Sequence, residues 1–460
     1  MKYVGIWDFI MVPLLLVIIH YVAGRTTQQE IGKHSEYKYF KPGLLFKVYG
    51  GLIFALVYTF YYDGGDTIVY WQDAKLLNTL ILSEPACYLK ILFGDTRPAW
   101  FYCFDLTEGV PQQYLRDQQA YTVSRLSSPA ALLSIDSFFG CTLLVAWLGF
   151  GGIWRLYRVF VEEYPNLQKE LAIAFLFIPS VAFWGSGVMK DAYTFTAACW
   201  MTSAIYGLLL KRRDIIWNII AVLLSGYIML TMKPYIFVAL MPGTLLWVVF
   251  NRIQKIQSGF LRVLSAPIII MIGFVIGSVV FSQTSGQMES YGSVDSMVEK
   301  AVATQEDLKR EAYEGNSFDI GTIDPSISGM LSKAHLAIFA GLFRPTLLDA
   351  KNPVMLISAL ENSILMLFLA YMILKVGVFS FVRYVFAKPM IMFSFFFAIF
   401  FAFAVGLTTS NFGSLVRYKI PSLPFLLASL YMIRYHRIEE TEGYSKTDLN
   451  GKTASFQKVQ

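Results

Sequence analysis

Charge is what this chain has least of: 15% of its residues are Asp, Glu, Lys or Arg, against 56% apolar, and the mean hydropathy is +0.52. A soluble protein with a large core is thereby excluded, and most of the chain requires a bilayer as its solvent. A basic face is also lacking. The net charge of +6 comes from Lys and Arg spread among short loops, which gives no reason to expect nucleic acid as a partner. No internal repeat or inverted symmetry divides the chain into matching halves, which counts against a transporter. The first apolar run lacks a small-residue cleavage site and reads as an uncleaved anchor. Cysteine is scarce, at four residues. Cys141 and Cys199 fall in apolar runs and read as small core residues, whereas Cys87 and Cys103 share one polar loop, where a disulfide is open to them in an oxidising compartment.

What the chain has in abundance is apolar runs of about 17 to 25 residues, the length that crosses roughly 30 Å of hydrocarbon. They lie near 7–24, 44–61, 135–157, 170–188, 192–210, 215–231, 234–250, 263–282, 354–376, 389–408 and 416–433. The expectation is an all-α polytopic membrane protein of about eleven transmembrane helices. Basic residues alternate between its loops. Arg25, Lys33, Lys38 and Lys41, then Arg155, Arg158 and Lys169, Lys211 to Arg213, Arg252, Lys255 and Arg262, Arg383 and Lys388, and Arg434 and Arg437 all fall on one side. By the positive-inside rule that side is cytoplasmic, which places the N-terminus and two long loops, about 62–130 and 283–353, outside.

The first outer loop is not linker. Leu76, Leu77, Leu80 and Ile81 form one helical face within 74–82, suited to the interface plane. Pro85 ends that helix, Tyr88 to Phe93 start a second short piece, and Trp100, Phe101 and Tyr102 suit the headgroup region. In the second loop, 283–324 is polar, with Val298 to Tyr313 compatible with a helix; it reads as a lid or as a passive surface loop. His335 to Leu348 turns apolar again and re-enters the interface before Arg344-Pro345. The division expected is an extra membrane helix and basic cytoplasmic loop over 1–43, a transmembrane domain over 44–437, and a disordered cytoplasmic tail over 438–460.

Asp63-Gly-Gly-Asp66 stands where the second apolar run leaves the membrane. Two carboxylates with glycines between them, beside water, suit chemistry at the membrane surface, or simply a solvated helix end. Lys190, Lys233, Arg344, Arg417 and Lys419 break the charge rule by lying at the outer face. As a set they suit a shared anion site for lipid phosphate or a phosphate-bearing substrate; singly, each reads as a snorkelling residue. Glu361, inside a span, and Asp136, at the start of one, must be paired or functional, because a lipid-exposed carboxylate costs about 2.5 kcal/mol or more.

Several short elements together resemble the GT-C superfamily of membrane glycosyltransferases, among them protein O-mannosyltransferases and lipid A aminoarabinose transferases. They are Gly65-Asp66-Thr67-Ile68-Val69-Tyr70 after a membrane helix, a loop of interfacial helices, Lys190-Asp191, Lys233-Pro234, and Asn411-x-Gly413-x-x-x-Arg417-Tyr418-Lys419-x-Pro421. The resemblance covers about 44–434. It departs in two respects: the acid motif follows the second span instead of the first, and Asp63-x-x-Asp66 stands where O-mannosyltransferases have an adjacent Asp-Glu pair. The acceptor class is thereby left open. The resemblance implies a place in a bacterial cytoplasmic membrane with the active site facing outward, a polyprenyl-linked sugar donor, and a glycan, lipid or protein acceptor among membrane lipids. It also implies inversion at the anomeric centre.

The residues suit that chemistry in their own right. Sugar transfer needs a base for the acceptor hydroxyl, and Asp66, with Asp63 as the next candidate, is placed to act. It needs cations on a phosphate leaving group, for which Lys190, Lys233, Arg344, Arg417 and Lys419 are candidates, with Asp191, Tyr70, Tyr418 and Glu361 beside the substrate. The residues single out no cofactor, and a divalent metal on Asp63 and Asp66 stays open. A polysaccharide polymerase or ligase, and a lipid-linked-sugar transporter or flippase, are the alternatives. A transferase gathers its acids and bases at one face, whereas a transporter lines a path near the midplane.

Overall fold

The computed structural model describes residues 3–94, 103, 104, 114, 117–254, 303, 318, 321 and 326–456. In lipid every backbone N–H and C=O must be satisfied within the chain, and among the described residues the helix is the regular element throughout. In chain order the helices are α1 (Ile6–Glu30), α2 (Phe40–Phe60), α3 (Asp66–Ser83), α4 (Pro85–Leu92), α5 (Gln118–Leu133), α6 (Phe138–Glu163), α7 (Gln168–Leu176), α8 (Pro179–Trp184) and α9 (Lys190–Ile205). They continue with α10 (Ile215–Met232), α11 (Pro234–Gln254), α12 (Ile327–Ser332), α13 (Ala334–Phe343), α14 (Pro353–Val376), α15 (Val378–Ala387), α16 (Pro389–Thr408), α17 (Phe412–Tyr418) and α18 (Ser422–Phe456).

Eight of these, α1, α2, α6, α9 with its π-helical extension to Lys211, α10, α11, α14 and α16, are long and apolar enough to cross a membrane, so the chain is a multi-pass integral membrane protein. The expected span near 263–282 and, apart from residue 303, the helix expected over 298–313 lie outside the described residues. Two other expected spans are interrupted. That near 170–188 is α7 and α8, broken before Pro179; that near 416–433 is α17 and α18, broken around Pro421. In both, proline removes a donor, and before Pro179 the backbone of Ile178 is extended (φ −77°, ψ 120°).

The apolar stretch expected to re-enter is helix α13. It runs antiparallel to α16, with Ala337 against Gly406 and Gly341 against Ala402. At ten residues it spans about 15 Å, roughly half the hydrocarbon thickness, and it stops at Arg344-Pro345 beside the middle of α16.

Loops collect at two opposite ends of the bundle. At one end, Arg158 meets Glu36 (3.2 Å), Arg213 meets Glu162 (2.7 Å), Tyr164 meets His436 (3.2 Å) and Arg383 meets Glu440 (2.8 Å). These are the loops whose Lys and Arg content sets them apart. At the other end lie Asp66, Lys190, Lys233 and Arg417. There α3, α4 and α5 form a small core of their own from Leu77, Leu80, Ile91 and Tyr121, and a Cys87–Cys103 disulfide fastens α4. The cluster of Trp100, Phe101 and Tyr102 lies outside the described residues. Past Arg437, α18 continues as helix, and Glu440, held by Arg383 and Tyr384 of α15, secures the start of that extension.

The α13–α16 contact is as close as backbones allow, since a Cβ on Gly341 would overlap Ala402 O and one on Gly406 would overlap Ala337 O. Gly341→Ala and Gly406→Ala are each expected to destabilise the protein by about 1–3 kcal/mol through overpacking. Thermal unfolding of the detergent-purified variants would measure this. An unchanged midpoint in both would show that the two helices part freely.

Candidate functional site

Asp66 owes its place to a turn that only a glycine-rich sequence makes readily. Asp63, Gly64 and Gly65 have φ values of 47°, 141° and 108°, a run of positive values that reverses the chain between α2 and α3 and leaves Asp66 as the first residue of α3. Asp63 itself is exposed on the turn. The Asp66 carboxylate, 47% exposed, accepts a hydrogen bond from Tyr114 OH (2.9 Å) and lies 3.9 Å from Arg417 Nη1. Arg417 projects from α17, whose N-terminus is capped by Asn411 through Ser414 N (3.1 Å). Its side chain is only 18% exposed, and its Nε is buried without a hydrogen-bond partner.

Two further cations complete the cluster. Lys190 opens α9 and faces Asp117 at 3.9 Å. Lys233, in the sharp turn between α10 and α11, bonds Asp191 at 2.5 Å and lies 4.0 Å above the Tyr418 ring. Around the acids stands a set of phenols, with the rings of Tyr70 and Tyr114 5.0 Å apart. Burial, and then the Asp66 charge, push both phenols well above the ordinary tyrosine range. Tyr114 therefore stays protonated and remains a fixed donor to Asp66. Burial raises Tyr62 as well.

Arg344, Glu361 and Lys419 form a second group, displaced from Asp66. Lys419 is buried, with its ammonium on Leu342 O (3.2 Å), Arg344 O (3.0 Å) and Asn362 Oδ1 (2.5 Å). Glu361 accepts from Ser180 N (2.9 Å) and Ser180 Oγ (2.5 Å), at the start of α8. Arg344 holds Asp349 through two bonds (2.7 and 3.2 Å) and stacks over Phe318 and Phe412. Burial works to raise the Asp349 carboxyl, but the Arg344 and Thr346 hydrogen bonds outweigh it and hold the group below the usual range. The five cations expected to share one site thus divide: Lys190, Lys233 and Arg417 stand with Asp66, while Arg344 and Lys419 serve the junction of the interrupted helices.

Asp136 lies in the turn before α6, where burial raises its carboxyl against the pull of Lys75 and Asn78. Among the described residues no group of three His, Cys, Asp or Glu side chains is close enough to hold a metal ion. Sequence reasoning missed Tyr114 and Asp117, which come from a loop stretch with no periodicity to mark them. It also missed Lys47, a lone cation inside an apolar run, which was legible by that rule alone.

Asp191 and Lys233 are 5% and 7% exposed, so each depends on the other's charge. Asp191→Asn is expected to cost about 3–5 kcal/mol by stranding a buried ammonium, and adding Lys233→Met is expected to recover much of that. Thermal stability of the two single variants and the double variant is the measurement. No family model matches this chain, and no curated protein or solved structure matches it either.

Proposed function

We propose that the chain is a GT-C-like inverting glycosyltransferase, moving a sugar from a polyprenyl-phosphate-type donor to an acceptor at the outer face of a bacterial cytoplasmic membrane. The observation that carries this reading is the placement of a half-exposed carboxylate against a mostly buried guanidinium at a membrane end. Asp66 is reachable by an acceptor hydroxyl, and Arg417 lies 3.9 Å behind it. Asp66 takes the hydroxyl proton as the acceptor oxygen attacks the anomeric carbon from the face opposite the phosphate. The glycosyl–phosphate bond breaks with its electron pair on the phosphate oxygen. Arg417, with its spare Nε donor, and Lys190 stabilise that charge. Lys233 is already matched by Asp191 and acts by holding Tyr418 and the start of α9 in register.

One observation favours a second reading. Interrupted helices whose ends meet around intramembrane charges suit a carrier of lipid-linked sugars. Against it, Glu361 and Lys419 are each engaged by protein partners among the described residues.

Purified protein incubated with labelled polyprenyl-phosphate sugar is expected to release the phosphate carrier and label an acceptor. Asp66→Asn is expected to lower turnover about 10²- to 10⁴-fold with donor binding little changed. Arg417→Ala is expected to weaken donor use, and Arg417→Lys to retain part of it as a point charge. Normal turnover in Asp66→Asn would falsify the catalytic role of that residue. Translocation of the labelled lipid across proteoliposomes without sugar transfer would establish the carrier reading.

Orientation is tested separately. Reporter fusions after Arg213 and Arg437 are expected on the cytoplasmic side, and one at Asp117 on the other. Finding Asp117 and Arg213 on the same side would overturn the topology.

A further inference from the structure

At the end of the bundle away from Asp66, a cavity of about 310 Å³ opens between α15 and α18, where Ser380, Arg383, Tyr384, Arg437, Glu440 and Thr441 line it. Its volume falls within the range of ligand pockets, roughly 300–1,000 Å³. The helix on one side has the build of an interfacial element. At ten residues α15 is too short to cross a bilayer, and Phe379, Val382 and Phe386 expose one apolar stripe, with Phe379 93% exposed. Ser380, Arg383 and Tyr384 follow on the flank that faces the cavity. The cavity therefore lies at the level where lipid headgroups meet water.

Its charge is not balanced. Arg437 lines the cavity, and its Nη1 is buried without a hydrogen-bond partner. Arg383 Nη2 and Tyr384 OH both donate to one acceptor, Glu440 Oε2, at 2.8 and 2.5 Å. Lys375 near the end of α14, Lys388 at the end of α15 and Arg434 of α18 add positive charge to the surrounding helices, while Glu439 of α18 faces His436 at 3.2 Å. A single carboxylate thus occupies the place where a stronger oxyanion can be held, with two guanidiniums, a phenol and the Ser380 hydroxyl as donors.

We propose that this cavity binds the phosphate of an anionic lipid headgroup. Arg437 is its fixed cation, Arg383 turns from Glu440 to the phosphate, and Ser380 supplies a hydroxyl donor, while the Thr441 hydroxyl stays on Arg437 O at 2.9 Å. Free phosphate shares this chemistry. The apolar stripe of α15 beside the cavity places acyl chains next to it, which favours the lipid as the source.

Native mass spectrometry of the full chain in detergent, with phosphatidylglycerol or phosphatidylcholine added, tests this. Phosphatidylglycerol is expected to be retained over phosphatidylcholine. Retention is expected to fall about tenfold or more in Arg437→Gln and Arg383→Gln, the scale of one charge-assisted hydrogen bond. Glu440→Gln is expected to retain as much or more, because it removes the competing carboxylate. Displacement of the lipid by excess inorganic phosphate would identify the phosphate group alone as the ligand; resistance to it would identify the lipid. Arg383 is 62% exposed, so its variant folds even if Arg437→Gln does not. Equal retention of the two lipids would overturn the proposal. So would unchanged phosphatidylglycerol retention in Arg383→Gln, or a loss in Glu440→Gln as large as in the arginine variants, which would reduce these contacts to a clasp between α15 and α18.

Discussion

An ammonium and a carboxylate deep within a bilayer-spanning bundle each need an oppositely polarised partner, and in this protein the ends of interrupted helices supply both. Glu361 rests on the amide and hydroxyl of Ser180, at the positive end of α8, and Lys419 rests on the carbonyls of Leu342 and Arg344, at the negative end of α13. The arrangement works in both directions. Groups that Pro179 and Pro345 leave without helical partners find them in the two charges, and the charges escape the cost of an unpaired ion in hydrocarbon. Asn362 ties the junction together, accepting from Lys419 and donating to Pro345 O at 2.9 Å.

The Asp66 cluster inherits its geometry from this junction. Lys419 ends the helix that carries Arg417, and α8 leads into Lys190 and Asp191. The passage between α8 and α9 is held by a reciprocal clasp, in which the Lys47 ammonium donates to Gly185 O and Ser186 Oγ donates to Lys47 O at 3.0 Å. Gly187 packs its bare Cα under the Phe54 ring, where any side chain would collide. Beside Lys47 is a cavity of about 10 Å³, room for roughly one water. Cations at the membrane end are thus braced from within the membrane.

Much of this was legible in the sequence, for physical reasons that differ by element. Apolar run length reported the spans because the bilayer enforces it, and even α13 showed as an apolar stretch stopping at Arg344-Pro345. Asp63-Gly-Gly-Asp66 stood out as paired carboxylates where a span leaves the membrane, and Lys190, Lys233 and Arg417 stood out as cations where loops should be poor in them. Depth and pairing were not legible. Run length does not say that Pro179 and Pro421 split their spans, so it does not separate Lys419 and Arg344, which stand at the junction, from Arg417. Tyr114 and Asp117 reach the cluster from a segment without periodicity, and no spacing could assign them to Asp66 and Lys190.

The unequal exposure of the Asp66–Arg417 pair has a consequence for how two substrates meet. Seen from water the pair presents an anion, since Asp66 is 47% exposed; seen from the bundle interior it presents a cation, since Arg417 is 18% exposed. Neutral hydroxyl compounds can come to the wet side without a charge penalty, whereas a phosphate arriving there meets like charge first. In the transfer proposed, donor and acceptor are sorted by route: the lipid-borne phosphate enters laterally from the bilayer, the acceptor descends from the aqueous side, and neither blocks the other's entrance.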